Sequence, residues 1–261
     1  MSKLMNIDLI AGARPNFIKI SPIIDAINNA KDRGILINFR LVHTGQHYDE
    51  NMSGSFFEQL SIPKPDINLN AGGGSQAEQT SKIMIGYESL LEKETVDYCL
   101  VVGDVTSTMA CSIVAKKMGI KVVHVEAGIR SFDLNMPEEI NRMVTDSITD
   151  YFFTTSEIAN NNLLNNGISK KKIFFVGNTM IDTLLKHKKN FKIPKIWNSI
   201  GLEKKRYIVM TLHRPSNVDK KELLNKIVNE ISLNCENIKI VFPVHPRTMK
   251  KLSKNKNKNI H

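Results

Sequence analysis

The sequence predicts an α/β protein organised on a doubly wound parallel sheet, and three observations carry that prediction. Short apolar runs alternate with segments of helical spacing along the chain. The clearest run, Tyr98–Val102, passes straight into Gly103-Asp104, the pattern of a buried strand entering a polar loop. The segment after it, Thr106–Met118, has helical spacing, ends at Gly119 and leads to a valine-rich run, Lys121–Val125. Strand, crossover helix and strand make a right-handed parallel unit. Asp104 and Glu126 therefore leave the same carboxyl edge of adjacent strands, about 5 Å apart in strand spacing. That edge is where open α/β sheets bind ligands.

The other elements follow in order. Ile7–Gly12 reads as the first strand, Ala13-Arg14-Pro15 as a turn whose proline suits a helix start, and Phe17–Ala30 as a helix. Phe39–His43 is a second strand, followed by the polar Thr44-Gly45-Gln46-His47-Tyr48-Asp49. Phe56 and Phe57 fit a short helix closed by Pro63 and Pro65. Gly72–Gly74 does not follow a strand, so it reads as a flexible connection and not as a phosphate cradle. Gln76–Glu92 is an amphipathic helix into the central unit. Beyond that unit, Pro137-Glu138-Glu139 starts a helix, Tyr151–Thr155 is a strand, Ile158–Asn166 a helix ending near Gly167, and Ile173–Asn178 a strand.

Residues 1–180 thus read as one complete doubly wound lobe, and residues 181–261 as a linker and part of a second. Lys186–Arg206, with Pro194 and the lone Trp197, reads as the linker. Tyr207–Leu212 is a strand turning at His213-Arg214-Pro215-Ser216-Asn217, Asp219–Leu233 a helix, and Ile238–Val244 a strand ending at His245-Pro246-Arg247. Two strands and about one helix bury too little surface for an independent doubly wound lobe, so the second lobe is expected to be incomplete.

Composition narrows the function classes. Hydrophobic residues make up 41% of the 261, an ordinary globular share, and no apolar run approaches the ~20 residues that span a bilayer. Met1–Asn6 leads directly into the first strand, so no signal peptide is expected. Cys99, Cys111 and Cys235 have no paired metal spacing; Cys99, in a buried strand, and Cys111, in the crossover helix, are expected to be reduced core thiols in the cytoplasm. The net charge of +10 is unevenly divided: residues 1–180 hold 17 Lys and Arg against 20 Asp and Glu, the remainder 19 against 6. Those late lysines lack interleaved aromatics, so solvated faces are expected and not a nucleic-acid surface. His43, His47, Asp49, His124 and Glu126 fit no recognised ligand spacing, so no metal is expected.

The candidate site residues differ in how well their local pattern explains them. Asp104 suits a cap for the Thr106 helix as well as it suits a site. Glu126 follows a strand core and has no cap to make. Glu138 and Glu139 after Pro137 would suit any helix N-terminus through its dipole. His213 and Arg214, in a loop after a strand, lean towards function. Arg14 and Lys19 suit a surface as well as a site.

Seven stretches taken together go further: Gly-Ala-Arg-Pro-Asn-Phe-Ile-Lys (12–19), Thr-Gly-Gln-His-Tyr-Asp (44–49), Val-Val-Gly-Asp (101–104), His-Val-Glu-Ala-Gly-Ile-Arg (124–130), Pro-Glu-Glu-Ile-Asn-Arg (137–142), Gly-Asn-Thr-Met-Ile-Asp (177–182) and Thr-Leu-His-Arg (211–214). In this order and at these intervals the chain resembles the UDP-N-acetylglucosamine 2-epimerase family, non-hydrolysing type, from Gly12 to about Arg247. The resemblance implies two Rossmann-like lobes of the glycosyltransferase-B type, with UDP-sugar in the cleft between them. It implies inversion at C2, interconverting UDP-GlcNAc and UDP-ManNAc for surface polysaccharide precursors without a nicotinamide cofactor, in a homodimer. Catalytic roles carry over to Asp104, Glu126, Glu138 and His213, and substrate-binding roles to Arg14, Lys19, Arg142 and Arg214. Gln46 and His47 match a region that in some members binds a second UDP-GlcNAc as an activator.

Two departures stand out. Asn16 occupies a position where many members have Glu. The family's second lobe also continues past the point where this sequence ends, and that part carries the loop on the UDP phosphates and a helix returning to the first lobe. The alternatives are a hydrolysing 2-epimerase, an epimerase of a related UDP-diacetamido sugar, and an inactive remnant that binds UDP-sugar or a partner subunit.

Overall fold

The seven-residue strand β1 (Met5–Ala11) sits near the middle of the sheet on which the first unit is built. The computed structural model describes residues 3–45, 57, 60–212, 214–235, 238–244, 246–252 and 259–261. After β1 come α1 (Arg14–Asp32), β2 (Ile37–His43), β3 (Ile67–Asn68), α2 (Gln76–Lys93), β4 (Tyr98–Val102), α3 (Thr106–Lys117) and β5 (Lys121–Val125). Then follow α4 (Pro137–Ile148), β6 (Tyr151–Thr154), α5 (Glu157–Asn165), β7 (Ile173–Phe175) and α6 (Thr179–His187). The sheet order is β3-β2-β1-β4-β5-β6-β7, and every pairing is parallel. The chain winds outward from β1 in both directions, so the order reverses between β1 and β4. Such a switch point opens a crevice at the carboxyl ends of the two strands.

Alternate strand residues face opposite layers, and both layers are apolar, which is why the strands read as continuous hydrophobic runs. Leu9, Ala11, Leu41, Leu100, Val102 and Val125 pack with Phe17, Ile20 and Ile24 of α1 on one side. Ile10, Val42, Cys99, Val101 and Val122 pack with Ile83 and Tyr87 of α2 and Cys111 and Val114 of α3 on the other. Cys99 and Cys111 are free and fully buried; burial pushes the Cys99 thiol well above its ordinary value.

Several elements differ from the prediction for local reasons. Helix α1 begins at Arg14, earlier than Phe17, because the Asn16 carboxamide accepts from the Gly12 and Ala13 amides at 3.2 and 2.8 Å and closes the helix start. It also runs through Pro22. Proline has no N–H for the carbonyl of Ile18 one turn back; the Thr183 hydroxyl of α6 donates to that carbonyl instead, at 2.6 Å. This contact ties α6 to α1, so residue 180 falls at the start of a helix belonging to the first unit, Met1–Lys189. The unpredicted β3 pairs only Val42 with Ile67 and His43 with Asn68, too short a match for any periodicity. The expected helix around Phe56 and Phe57 lies largely outside the described residues.

The second unit, Asn190–His261, contains α7 (Lys195–Ser199) inside the segment read as linker, β8 (Tyr207–Val209), α8 (Pro215–Val218), α9 (Lys221–Asn234), β9 (Lys239–Val241) and α10 (Pro246–Met249). Strands β8 and β9 pair in parallel, and Ile260 makes a further parallel bridge to Ile240. Met210, Val218, Leu224, Val228, Ile240 and Phe242 form a small core of its own.

Candidate active site

The first anchor is the β1–α1 turn. While the Asn16 carboxamide oxygen closes the helix start, its nitrogen donates 2.9 Å to the Val102 carbonyl at the end of β4. One buried side chain thereby fixes the turn after β1 to the strand across the switch point, and Asn16 fills this place without the negative charge of Glu. One helical turn on, the Lys19 ammonium forms an ion pair with the Glu126 carboxylate, both side chains largely buried.

Glu126 sits immediately after β5 with φ +69°, a left-handed conformation that a side chain seldom adopts outside a constrained site. Its amide and that of Ala127 both donate to the Phe153 carbonyl, at 2.9 and 3.2 Å, which holds the turn. The neighbouring loop yields room through Gly103, at φ +72°. A Cβ there would stand 3.1 Å from the Lys19 nitrogen and 3.5 Å from a Glu126 oxygen.

Asp104 follows Gly103. The N-cap of α3 is Val105, with no side-chain cap, so Asp104 does not spend its carboxylate on the helix. The carboxylate instead pairs with the Arg142 guanidinium of α4. Arg142 is in turn held 3.0 Å from the carboxylate of Glu139, a residue only 1% exposed. Burial alone would push the Glu139 carboxyl up. The Ser131 and Phe132 amides, the Ser131 hydroxyl and Arg142 outweigh it, leaving the group below the ordinary carboxylate value. The two carboxylates in turn keep Arg142 charged against its own burial. A third tie, from the Asn141 carboxamide, reaches the Asp104 carbonyl at 2.8 Å.

The predicted residues therefore divide. Asp104, Glu126, Lys19 and Arg142 come together at the carboxyl edge of β4 and β5, each carboxylate with its own cation. Glu138 lies in the first turn of α4, exposed, beside inward-turned Glu139. Arg14 is exposed at the first residue of α1, and Arg214 is exposed just before α8 in the second unit. Gln46, His47 and His213 lie outside the described residues. Among the described residues no three His, Cys, Asp or Glu side chains are placed to hold a metal ion.

Sequence reasoning missed Glu139, whose spacing of three from Arg142 on a helix was the available signal. It also missed Asp146, on the inner face of α4, which contacts His124 behind the two loops. Chemically, two carboxyl groups on adjacent loops, each beside a cation at the carboxyl edge of the sheet, can exchange protons with a bound substrate, and the cations can hold an anion.

Known proteins resemble this chain in sequence and in fold. The family described as UDP-N-acetylglucosamine 2-epimerase matches residues 29–261. A UDP-N-acetylglucosamine 2-epimerase of Methanocaldococcus jannaschii is 46% identical over 254 residues, covering 95% of this chain and 68% of that protein. A UDP-2,3-diacetamido-2,3-dideoxy-D-glucuronate 2-epimerase of Pseudomonas aeruginosa is 42% identical over 250 residues, covering 94% and 68%. The crystal structure of the Methanocaldococcus jannaschii enzyme with UDP-GlcNAc and UDP superposes with a TM-score of 0.83 at 44% identity, covering 98% of this chain and 72% of that one. On the family match over residues 29–261 and these identities, the chain, with its seven-stranded parallel sheet, belongs to the UDP-N-acetylglucosamine 2-epimerase family.

Proposed function

We propose that the chain inverts C2 of a UDP-N-acetylhexosamine, interconverting UDP-GlcNAc and UDP-ManNAc. The observation that carries this reading is the placement of Asp104 and Glu126 on adjacent loops at the switch point, paired with Arg142 and Lys19. The C2 hydrogen of such a sugar is not next to a carbonyl, so a base cannot remove it unaided. Cleavage of the C1–O bond sends its electron pair to UDP and builds positive charge at C1, which acidifies C2. Loss of the C2 proton to a carboxylate then forms the C1–C2 double bond of a glycal. UDP adds back to C1 while a proton reaches the opposite face of C2.

This scheme needs an acid or base on each face and positive charge near the departing diphosphate. Asp104, Glu126 and Glu138 are the candidate carboxylates. Lys19 and Arg142, already facing anions, supply positive charge near the reacting sugar. The motif assigns Arg14 to the diphosphate, His213 to protonating or stabilising the leaving UDP, and Arg214 to substrate. Gln46 and His47 are proposed for a second, activating UDP-GlcNAc. A homodimer working in the cytoplasm on polysaccharide precursors completes the proposal. A related diacetamido sugar is the second reading, favoured by the 42% identity to the Pseudomonas aeruginosa epimerase.

Incubation of the purified chain with UDP-GlcNAc, followed by proton NMR of the products, tests the reaction type. UDP-ManNAc in equilibrium with UDP-GlcNAc is expected. Free ManNAc accumulating irreversibly would mean hydrolysis, and conversion of only the UDP-diacetamido uronic acid would move the substrate assignment. No conversion of either sugar would refute the reading.

A further inference from the structure

Behind the two candidate carboxylates lies a second, buried set of polar contacts to which the mechanism assigns no role. His124, in β5, is fully buried. Its Nε2 lies 2.8 Å from the Gly103 carbonyl, the peptide group that leads directly into Asp104. Its Nδ1 lies 2.7 Å from Oδ1 of Asp146, on α4. The other carboxylate oxygen of Asp146 accepts from the Gly128 amide at 3.0 Å and meets the Arg130 guanidinium at 2.7 Å. Gly128 and Arg130 belong to the loop that begins at Glu126.

The carboxylate of Asp146 is held below its ordinary value: His124 and Arg130 outweigh the upward push of burial. The His124 ring thus bridges the Asp146 carboxylate and the Gly103 carbonyl. One side chain on one helix is therefore linked to both loops, to one directly and to the other through His124. On one side the chain of contacts runs from Asp146 through His124 to Gly103; on the other it runs directly to Gly128 and Arg130. The β5 loop has little slack: Gly128 has φ +77°, and a Cβ there would come within 2.4 Å of the Ala159 carbonyl.

We propose that Asp146 is a positioning residue that fixes the Asp104 loop and the Glu126 loop in one relative placement, with His124 as its arm to the first. The proposal rests on the reading of Asp104 and Glu126 as the proton-transferring carboxylates. His124 and Asp146 are buried behind the loops, at 0% and 3% exposure, so their loss is expected to act on the placement of the two carboxylates. A displacement of about 1 Å in such a pair costs on the order of 100-fold in rate.

The test compares the full chain with its Asp146→Asn and His124→Gln variants by amide NMR and by epimerisation kinetics. Asp146→Asn should shift the amide signals of Gly103, Asp104 and Gly128 together and lower kcat at least tenfold, with KM within twofold of the unaltered chain. His124→Gln should shift Gly103 and Asp104 while leaving Gly128 near its original position. If either variant fails to fold, the ring of His124 in the unaltered chain decides by ¹⁵N NMR. A ring N–H protected from solvent exchange supports the arrangement, and ring N–H groups exchanging at the rate of a free imidazole overturn it. Unchanged Gly103 and Asp104 signals in Asp146→Asn, or a kcat unaffected by it, would overturn the positioning role and leave the epimerase reading standing. Absence of turnover in the unaltered chain would instead overturn that reading, and the positioning role with it.

Discussion

Glu126 and Glu139 show how much a single side chain's surroundings decide. Both are glutamates near the ends of elements, yet one adopts a left-handed backbone beside Lys19 and the other is buried against two amides, a hydroxyl and Arg142. The positions of Asp104 and Glu126 were legible, because strand ends in a parallel sheet point to one edge whatever packs around them. The burial of Glu139 was not. A glutamate after Pro137 satisfies a helix N-terminus equally well from outside, as Glu138 does, and only tertiary contact selects which of the two turns inward. Replacing Glu139 by Gln leaves Arg142 with one carboxylate fewer and should cost about 1–3 kcal/mol at pH 7. Because its folded-state pKa is depressed, the contribution of Glu139 is complete above the ordinary glutamate value of about 4.3 and disappears as pH falls through and below it. Urea midpoints of the parent and the Glu139→Gln variant should therefore converge between pH 7 and about pH 3. A gap that stays constant with pH would mean that the carboxylate is not what Arg142 and the loop amides hold.

At the scale of elements, α1 carries both the site and a defect. Its first two turns present Asn16 and Lys19, and its middle contains Pro22, which leaves the Ile18 carbonyl without its helical donor. The Thr183 hydroxyl of α6 supplies the missing bond. Hydrophobic spacing carried the predicted helix correctly through the proline, since the apolar face at Phe17, Ile20, Ile24 and Ile27 continues unbroken. Nothing local could reveal that a residue more than 160 positions away would complete the hydrogen bond, so α6 and its membership of the first unit went unread. Thr183→Val, which keeps the shape and removes the hydroxyl, should destabilise the first unit by about 1–3 kcal/mol. Thr183→Ser should cost much less. Urea unfolding checks this, and an unperturbed Thr183→Val variant would show that α6 is held to α1 by packing alone.

For the whole molecule, the doubly wound parallel sheet was legible because alternation of apolar runs and helical segments leaves few arrangements open, and each strand's two-sided burial writes itself as an unbroken apolar run. The second unit was harder to read. Its strands β8 and β9 are three residues each, shorter than the apolar runs that contain them, and its small core is shared with the returning segment at Ile260. Short strands give periodicity little to act on. The account as a whole depends on one event, transfer of the C2 proton by carboxylates brought together at the end of β4 and β5. Solvent exchange at C2 reports that event directly. Incubated with UDP-GlcNAc in D2O, the unaltered chain should place deuterium at C2 of both UDP-sugars, and Asp104→Asn or Glu126→Gln should slow this by about 100-fold or more. Deuterium entering C2 at the parent rate in either folded variant, or no exchange at all by the unaltered chain, would contradict it.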